Sequence, residues 1–264
     1  MHRFMRSFFA ACKILCFALF SLILTPFQMI VMIFSKGAAA YFLPHLWEKG
    51  VCRIFGIKVR VVGDTHRAGQ TIFAANHISY LDIPVLGGII RGASFVAKAD
   101  VAGWPVFGFL ARLQQTAFIS RAREDARRET NALRTMLEAG KSLIIFPEGT
   151  STDGREVLAF KSSMFSIALI ENRAVPLYIQ PITLQVIESD GRVPETQDQR
   201  DIYAWHRDMD TELPTHLWGF AKARGAIIEL VFHDPILVAG DMDRKTLAKA
   251  CHDAVSNGLT ARAA

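Results

Sequence analysis

The sequence predicts an α/β fold: a mainly parallel sheet flanked by helices, behind an N-terminal hydrophobic helical membrane anchor. Three observations predict it. Short apolar runs alternate with helical stretches, the pattern of parallel strands covered by helices. Two of these runs, Thr71-Ile72-Phe73-Ala74-Ala75 and Ser142-Leu143-Ile144-Ile145-Phe146, end in polar groups, Asn76-His77 and Pro147-Glu148-Gly149-Thr150. In an open α/β sheet, ligands sit beyond the carboxyl ends of such strands. And no residue from Ile14 to Phe34 is charged, a stretch long enough to cross a bilayer as a helix.

Taken in order, residues 1–36 form the anchor and 37–264 the second domain. Thr25-Pro26 lies inside the apolar stretch, where proline breaks or kinks a helix. That leaves two forms, one kinked transmembrane helix or a two-arm hairpin dipping into one leaflet. Lys13 in the first arm is placed to snorkel to the headgroups. Arg3 and Arg6 precede the stretch and put the N-terminus in the cytoplasm. The same residues suit a signal peptide, but the apolar run is long and no small-x-small cleavage site follows it before Pro26.

Residues 37–56 read as a helical connector stopped at Gly56. Ile57 to Val62 alternates as a half-exposed strand, and the run 71–75 is the next strand. Ile83 to Ile90 reads as a helix with Asp82 in its first turn, where a carboxylate caps free N–H groups and Pro84 is tolerated. Ser94 to Ala97 is a strand ending at Lys98, followed by a short helix around Pro105 to Leu113. Thr116 to Ile119 is a strand leading to Arg121. Glu124 to Ala139 is an amphipathic helix with Ala126, Thr130, Leu133 and Leu137 on one stripe and Gly140 as its stop. After the strand at 142–146, Ser162 to Ile170 reads as a helix. Val175 to Leu184 is a strand, and Pro176 and Pro181 place it at an edge or interrupt it. Residues 188–201 are a polar excursion, Ala226 to Phe232 a last strand, and 243–256 a terminal helix.

The 264 residues suffice for one sizeable domain. The hydrophobic fraction of 51% is high and concentrated at the start, and the formal net charge is +5. A basic balance suits nucleic acid, an anionic membrane or an anionic substrate; the anchor favours the last two. Cys12, Cys16, Cys52 and Cys251 form no CxxC pair, so neither a disulfide framework nor a zinc site is read. Asp208-Met209-Asp210 has no partner carboxylates at metal-binding spacing and reads as a solvated turn.

His77 and Asp82 are the leading chemical pair. Five residues apart on a continuous helix, they point to different sides. They meet only if His77 lies on the turn before the helix and Asp82 in its first turn. Asp82 then holds one imidazole tautomer and leaves the other nitrogen free to take a proton. The bland alternative is a capping Asp beside an ordinary loop His. Lys98 and Arg121 follow strands and lie at the same sheet edge; both are natural partners for a phosphate, although single basic residues are most often solvated surface. Gly149 permits a tight turn, and Glu148 is placed either to bond substrate hydroxyls or to fix neighbouring loops. There is no GxxxxGK[ST], GxGxxG or GxSxG pattern, so no nucleophile for a covalent mechanism stands out. A base acting on a substrate hydroxyl remains.

These residues resemble the membrane-bound glycerolipid acyltransferases, specifically the 1-acyl-sn-glycerol-3-phosphate acyltransferases. The NHxxxxD block is matched by Asn76, His77 and Asp82, and an FIxR block by Phe118, Ile119 and Arg121. An FPEGT block is matched without change by Phe146 through Thr150, and a VPxxIxP-like block by Val175, Pro176, Ile179 and Pro181. The resemblance spans roughly residues 70–185. Ser120, Ser151 and Gln180 depart from common family choices at variable positions, which bears on substrate more than on reaction type. Tyr203-Ala204-Trp205 through Leu217-Trp218 resembles a bacterial branch that includes enzymes acylating lyso-ornithine lipid.

The resemblance implies acyl transfer from an acyl thioester to the sn-2 hydroxyl of lysophosphatidic acid, giving phosphatidic acid for phospholipid biosynthesis. His77 is the implied base and Asp82 its orienter. Lys98 and Arg121 hold the acceptor phosphate, Glu148, Gly149 and Thr150 shape its pocket, and backbone N–H groups near the His motif stabilise the oxyanion. No cofactor is implied; acyl-CoA or acyl carrier protein is the co-substrate. The partners are the lysolipid, the donor and the membrane, at the cytoplasmic face of the inner membrane, with no nucleic acid. The same chemistry on lyso-ornithine lipid is the nearest alternative. A lipid hydrolase would release free fatty acid, and a membrane-bound binding protein would have no need of His77, Asp82, Arg121 and Glu148 together.

Overall fold

The structure, a computed structural model, describes residues 2–119, 133–169, 175–240 and 242–260. The strands are β1 (Ile57–Val62), β2 (Gln70–Ala75), β3 (Ala93–Lys98), β4 (Ala117–Ile119), β5 (Ser142–Ile145), β6 (Leu177–Ser189), β7 (Ala226–Phe232) and β8 (Ile236–Leu237). They form one sheet in the order β1-β7-β6-β2-β5-β3-β4, with β8 beside β6. From β6 through β2, β5 and β3 to β4 every pairing is parallel, and β7 joins β6 antiparallel. The expected mainly parallel sheet is therefore what forms.

Strand β2 is buried at every position, as a parallel strand covered on both faces must be. Phe73 and Ala75 enter the core on one face, Ile72 and Ala74 the core on the other, following the two-residue period. The neighbouring Leu143, Ile144 and Ile145 of β5 are fully buried, each contributing about 1.5–3 kcal/mol.

One face is covered by α1 (His2–Phe34), α2 (Phe42–Phe55), α3 (Asp82–Gly87) and α7 (Leu213–Lys222). The other is covered by a 3₁₀ helix at Ser162–Ala168, the helical residues 133–138 (α5) and α8 (Arg244–Thr260). The remaining α-helices among the described residues are α4 (Phe107–Leu113) and α6 (Gln197–Arg200). Leu133 and Leu137 are buried as their stripe predicts; Ala126 and Thr130 lie outside the described residues.

Several expectations are corrected. β6 is central, not an edge. The carbonyl of Pro181 accepts the His233 N–H at 3.0 Å, so its missing N–H faces the same side. There the neighbouring chain changes from β7 to β8 and leaves no ladder for proline to interrupt. β7 is not the last strand, since β8 pairs with Tyr178 and Ile179. The helix expected at 162–170 is 3₁₀ over Ser162–Ala168.

The N-terminal apolar stretch, expected to break or kink at Pro26, does not break there. α1 is one helix with Pro26 inside it, its flanks held by packing. Phe17 lies 6.0 Å from Trp47 and 5.8 Å from Phe55, and Trp47 Nε1–H donates to Ser21 Oγ at 2.9 Å. Gln28 Nε2 donates to the carbonyls of Ala40 and Leu113 at 2.9 and 2.8 Å. Lys13, expected to reach headgroups, donates to the Ala223 carbonyl at 2.7 Å. It caps the C-terminus of α7, where a cation is favoured.

Candidate active site

The parallel segment β2-β5-β3-β4 brings its carboxyl ends to one edge. The residue pairs Ala74↔Ile145, Phe95↔Ile144 and Lys98↔Ile119 fix the register. His77 therefore follows β2, Glu148 follows the adjacent β5, and Lys98 ends β3, two strand spacings or about 10 Å across the sheet. Sequence spacing alone could not place 77, 98 and 148 side by side; the strand order does.

β2 ends because Asn76 turns its side chain into a surrogate strand residue. Its Nδ2 donates to the Leu184 carbonyl at 2.9 Å, and its Oδ1 accepts the Leu184 N–H at 2.7 Å. The next residue, His77, is thereby set on the turn leading to α3. Asp82 Oδ2 accepts His77 Nδ1–H at 2.7 Å, the Ile78 N–H at 2.7 Å and the Ser79 N–H at 2.9 Å. With two backbone N–H groups already donating to it, Oδ2 is an acceptor toward the ring as well, so Nδ1 is the protonated nitrogen of the tautomer this geometry selects and Nε2 is the other. Asp82 is fully buried while the His77 side chain is 21% exposed. Asp82 does not cap its own helix as expected; it reaches back over the turn. The imidazole stacks on Phe146, centroids 4.0 Å apart at 21°, which fixes the ring plane.

Glu148 is 3% exposed. Its Oε1 accepts the His77 N–H at 2.7 Å and its Oε2 the Leu158 N–H at 2.8 Å. Burial pushes this carboxyl up to about 7, against the pull of the two N–H bonds. Of its two sequence readings, fixing neighbouring loops is the one its contacts describe. The His77 carbonyl accepts the Thr152 N–H at 2.9 Å, a second tie to the same loop.

Gly149 sits at φ +68°, and a Cβ there would run into the Lys161 ammonium. Thr150 beside it is half-buried, as is Lys98. Arg121 lies outside the described residues. Gln180, expected to bear on substrate, is a buried tie: it accepts the His66 N–H and donates to the carbonyls of Asp64 and His233.

The oxyanion expectation is corrected in part. The N–H groups of His77, Ile78 and Ser79 all donate to carboxylates and are not available to a developing charge.

Sequence reasoning missed two contacts of the pair. Phe146 reads in sequence as the end of a strand and the first residue of the FPEGT block, with nothing to mark it as the face on which His77 stacks. Tyr203, fully buried, donates its hydroxyl to Asp82 Oδ1 at 3.0 Å across 121 residues; the only signal was the resemblance of the Tyr203-Ala204-Trp205 segment.

Chemically, the site offers an imidazole whose Nδ1 is held by Asp82 and whose Nε2 has no hydrogen-bond partner among the described residues. This suits deprotonation of a hydroxyl. A family model described as Acyltransferase matches residues 57–185. A lyso-ornithine lipid O-acyltransferase of Brucella abortus is 34% identical over 239 residues, 89% of this chain and 88% of that protein. A 1-acyl-sn-glycerol-3-phosphate acyltransferase of Neisseria gonorrhoeae is 28% identical over 201 residues, 76% of this chain and 73% of that one. The crystal structure of the 1-acyl-sn-glycerophosphate acyltransferase PlsC of Thermotoga maritima matches with a TM-score of 0.71, covering 100% of this chain and 98% of that one. Its 19% identity speaks to the fold alone.

Proposed function

The chain belongs to the acyltransferase family, and from that premise we propose that it transfers an acyl group from a thioester to the hydroxyl of lyso-ornithine lipid. The observation that carries the reaction is the 2.7 Å contact between His77 Nδ1 and Asp82 Oδ2, which leaves Nε2 to act as base. The acceptor rests on the relatives: the lyso-ornithine lipid enzyme is both more similar and matched over more of the chain than the glycerophosphate enzyme.

In this reading Nε2 of His77 takes the hydroxyl proton as the acceptor oxygen attacks the thioester carbonyl. The tetrahedral oxyanion collapses, the C–S bond breaks, and the leaving thiolate takes the proton from the imidazolium. Asp82 stays ionised and stabilises the charged ring. Lys98 and Arg121 pair with the acceptor's anionic group, which in an ornithine lipid is a carboxylate, bound by Arg as a fork and by Lys as a point charge. Gly149 and Thr150 line the approach. The donor is acyl-CoA or acyl carrier protein, with no cofactor, and the enzyme works at the cytoplasmic face of the membrane that holds its lipids.

Lysophosphatidic acid is the second reading, favoured by the unbroken FPEGT block and the Neisseria relative. One competition assay separates them. Detergent-purified protein receives both lysolipids in one pot with thioester donors, and products are read by mass spectrometry. Acylated ornithine lipid as the main product supports the proposal. Phosphatidic acid as the main product moves the acceptor and keeps the reaction, and free fatty acid alone replaces transfer by hydrolysis.

A further inference from the structure

We propose that Tyr203 is a positioning residue for the His77–Asp82 pair, fixing the second oxygen of the Asp82 carboxylate and with it the plane in which His77 is held. The proposal rests on the reading of His77 as the base.

The two oxygens of Asp82 are treated unequally. Oδ2 receives three donors, His77 Nδ1 and the amides of Ile78 and Ser79. Oδ1 receives the Tyr203 hydroxyl at 3.0 Å. Both side chains are fully buried, so water cannot replace the phenol. Without it, a buried carboxylate oxygen would be short of a donor, and the carboxyl group would be free to twist away from the plane that serves Nδ1.

The phenol is itself held. The Tyr203 N–H donates to the Arg200 carbonyl at 3.0 Å, and two residues on the Trp205 N–H donates to the Ile78 carbonyl at 3.0 Å. The ring meets Phe220 of α7 edge-on at 6.0 Å. The segment 203–205 thus grips the motif at two points, the Asp82 carboxylate and the Ile78 carbonyl, from an element 121 residues away in the chain. The titratable groups facing the phenol are Asp82, Cys52 of α2 and Tyr80; Glu148 faces the other side of the motif through the His77 N–H. Burial, with Asp82 beside it, raises the phenol well above its ordinary value, so Tyr203 keeps its proton and acts only as a donor to the carboxylate. A tyrosine that merely fills the core needs some acceptor. It does not need the one carboxylate that orients the base.

The test compares Tyr203→Phe with wild type and with His77→Ala in steady-state kinetics across pH. Phe keeps the ring and removes one donor. The expected result is a kcat lower by roughly ten- to a hundredfold with KM for acceptor and donor unchanged. The acid limb of the rate profile should also move upward, because an Asp82 relieved of one donor holds the imidazolium more tightly. Folded Tyr203→Phe with kcat and acid limb both unmoved overturns the proposal. If Phe at 203 does not fold, site-specific 3-fluorotyrosine is used instead. Its more acidic hydroxyl should move the acid limb downward, and an unmoved limb overturns the proposal equally. Turnover retained by His77→Ala overturns the underlying base reading, and this is distinct from a failure at Tyr203 alone.

Discussion

His77 is fixed from four directions: its N–H by Glu148, its carbonyl by Thr152, its Nδ1 by Asp82 and its ring face by Phe146. Only Nε2 has no such tie among the described residues. His77→Ala should therefore abolish turnover, to below a few per cent, while circular dichroism and Tm stay close to wild type, since the ring is partly exposed and its loss leaves a small gap. Activity persisting in a folded His77→Ala protein would remove His77 as base. Glu148 gives a prediction with a defined sign. Its carboxyl is raised by burial from 4.5 to about 7, so the folded state binds more protons than the unfolded chain between those values. Its contribution to stability is fully present below about pH 4.5 and is lost as pH rises through about 7, a change on the order of 3 kcal/mol. Glu148→Gln should lower Tm at acid pH, because an amide oxygen serves only one of the two N–H groups, and should flatten the fall in Tm between pH 4.5 and 7 because the amide does not ionise. A slope unchanged in the variant would assign that fall to other groups. At this scale the pairing of His77 with Asp82 was legible, because a five-residue separation works only across a turn. The other partners of the Asp82 carboxylate were not, because two are amides earlier in the same turn and one is Tyr203, far along the chain.

Asn76 shows how one side chain joins two elements. β6 continues past the end of β2, and the Asn76 amide supplies both an acceptor and a donor to Leu184 where the ladder stops. The residue is 1% exposed. Asn76→Ala leaves the Leu184 N–H and carbonyl buried without partners, at about 1–3 kcal/mol for each. The expected outcome is a denaturant midpoint lowered by an equivalent amount, with turnover per folded molecule also reduced because His77 follows directly. A midpoint equal to wild type would show that water or a shifted backbone replaces the amide. Most strands were readable from their two-residue alternation or from short apolar runs, as at Ile57–Val62 and Ser142–Ile145. β6 was misjudged because proline is forbidden only where its missing N–H meets a partner strand, and local sequence does not reveal that β7 gives way to β8 there. β8 itself is two residues long, too short for any period to register.

Across the whole molecule, the first helix poses the largest physical question. By length and composition Phe4–Phe34 is able to cross a membrane. Yet its ties to the rest of the protein are spread along it: Arg6 to Asp190, Lys13 to Ala223, Ser21 to Trp47, and Gln28 to Ala40 and Leu113. A helix standing across a bilayer could not keep all of these unless the α/β domain entered the hydrocarbon with it, and the domain carries most of the charged residues. Between the ties, Phe4, Phe8, Leu15, Leu22, Ile23, Ile30, Ile33 and Phe34 remain exposed, giving the helix one polar-tied face and one apolar face. The ties along that face predict that the helix lies in the interface, apolar side down. Both of its ends should then lie on the same side of the membrane. Cysteines introduced singly as Phe4→Cys and Phe34→Cys, in a background with Cys12, Cys16, Cys52 and Cys251 replaced, test this in sealed vesicles of known orientation. A membrane-impermeant maleimide should label both from the side that carries the α/β domain. Labelling of the two ends from opposite sides would establish a spanning helix and would require the ties of Lys13 and Gln28 to break in the membrane. The charge-free run was legible in sequence; its attachment was not, because Lys13, Ser21 and Gln28 take their partners from chain 12 to 210 residues away.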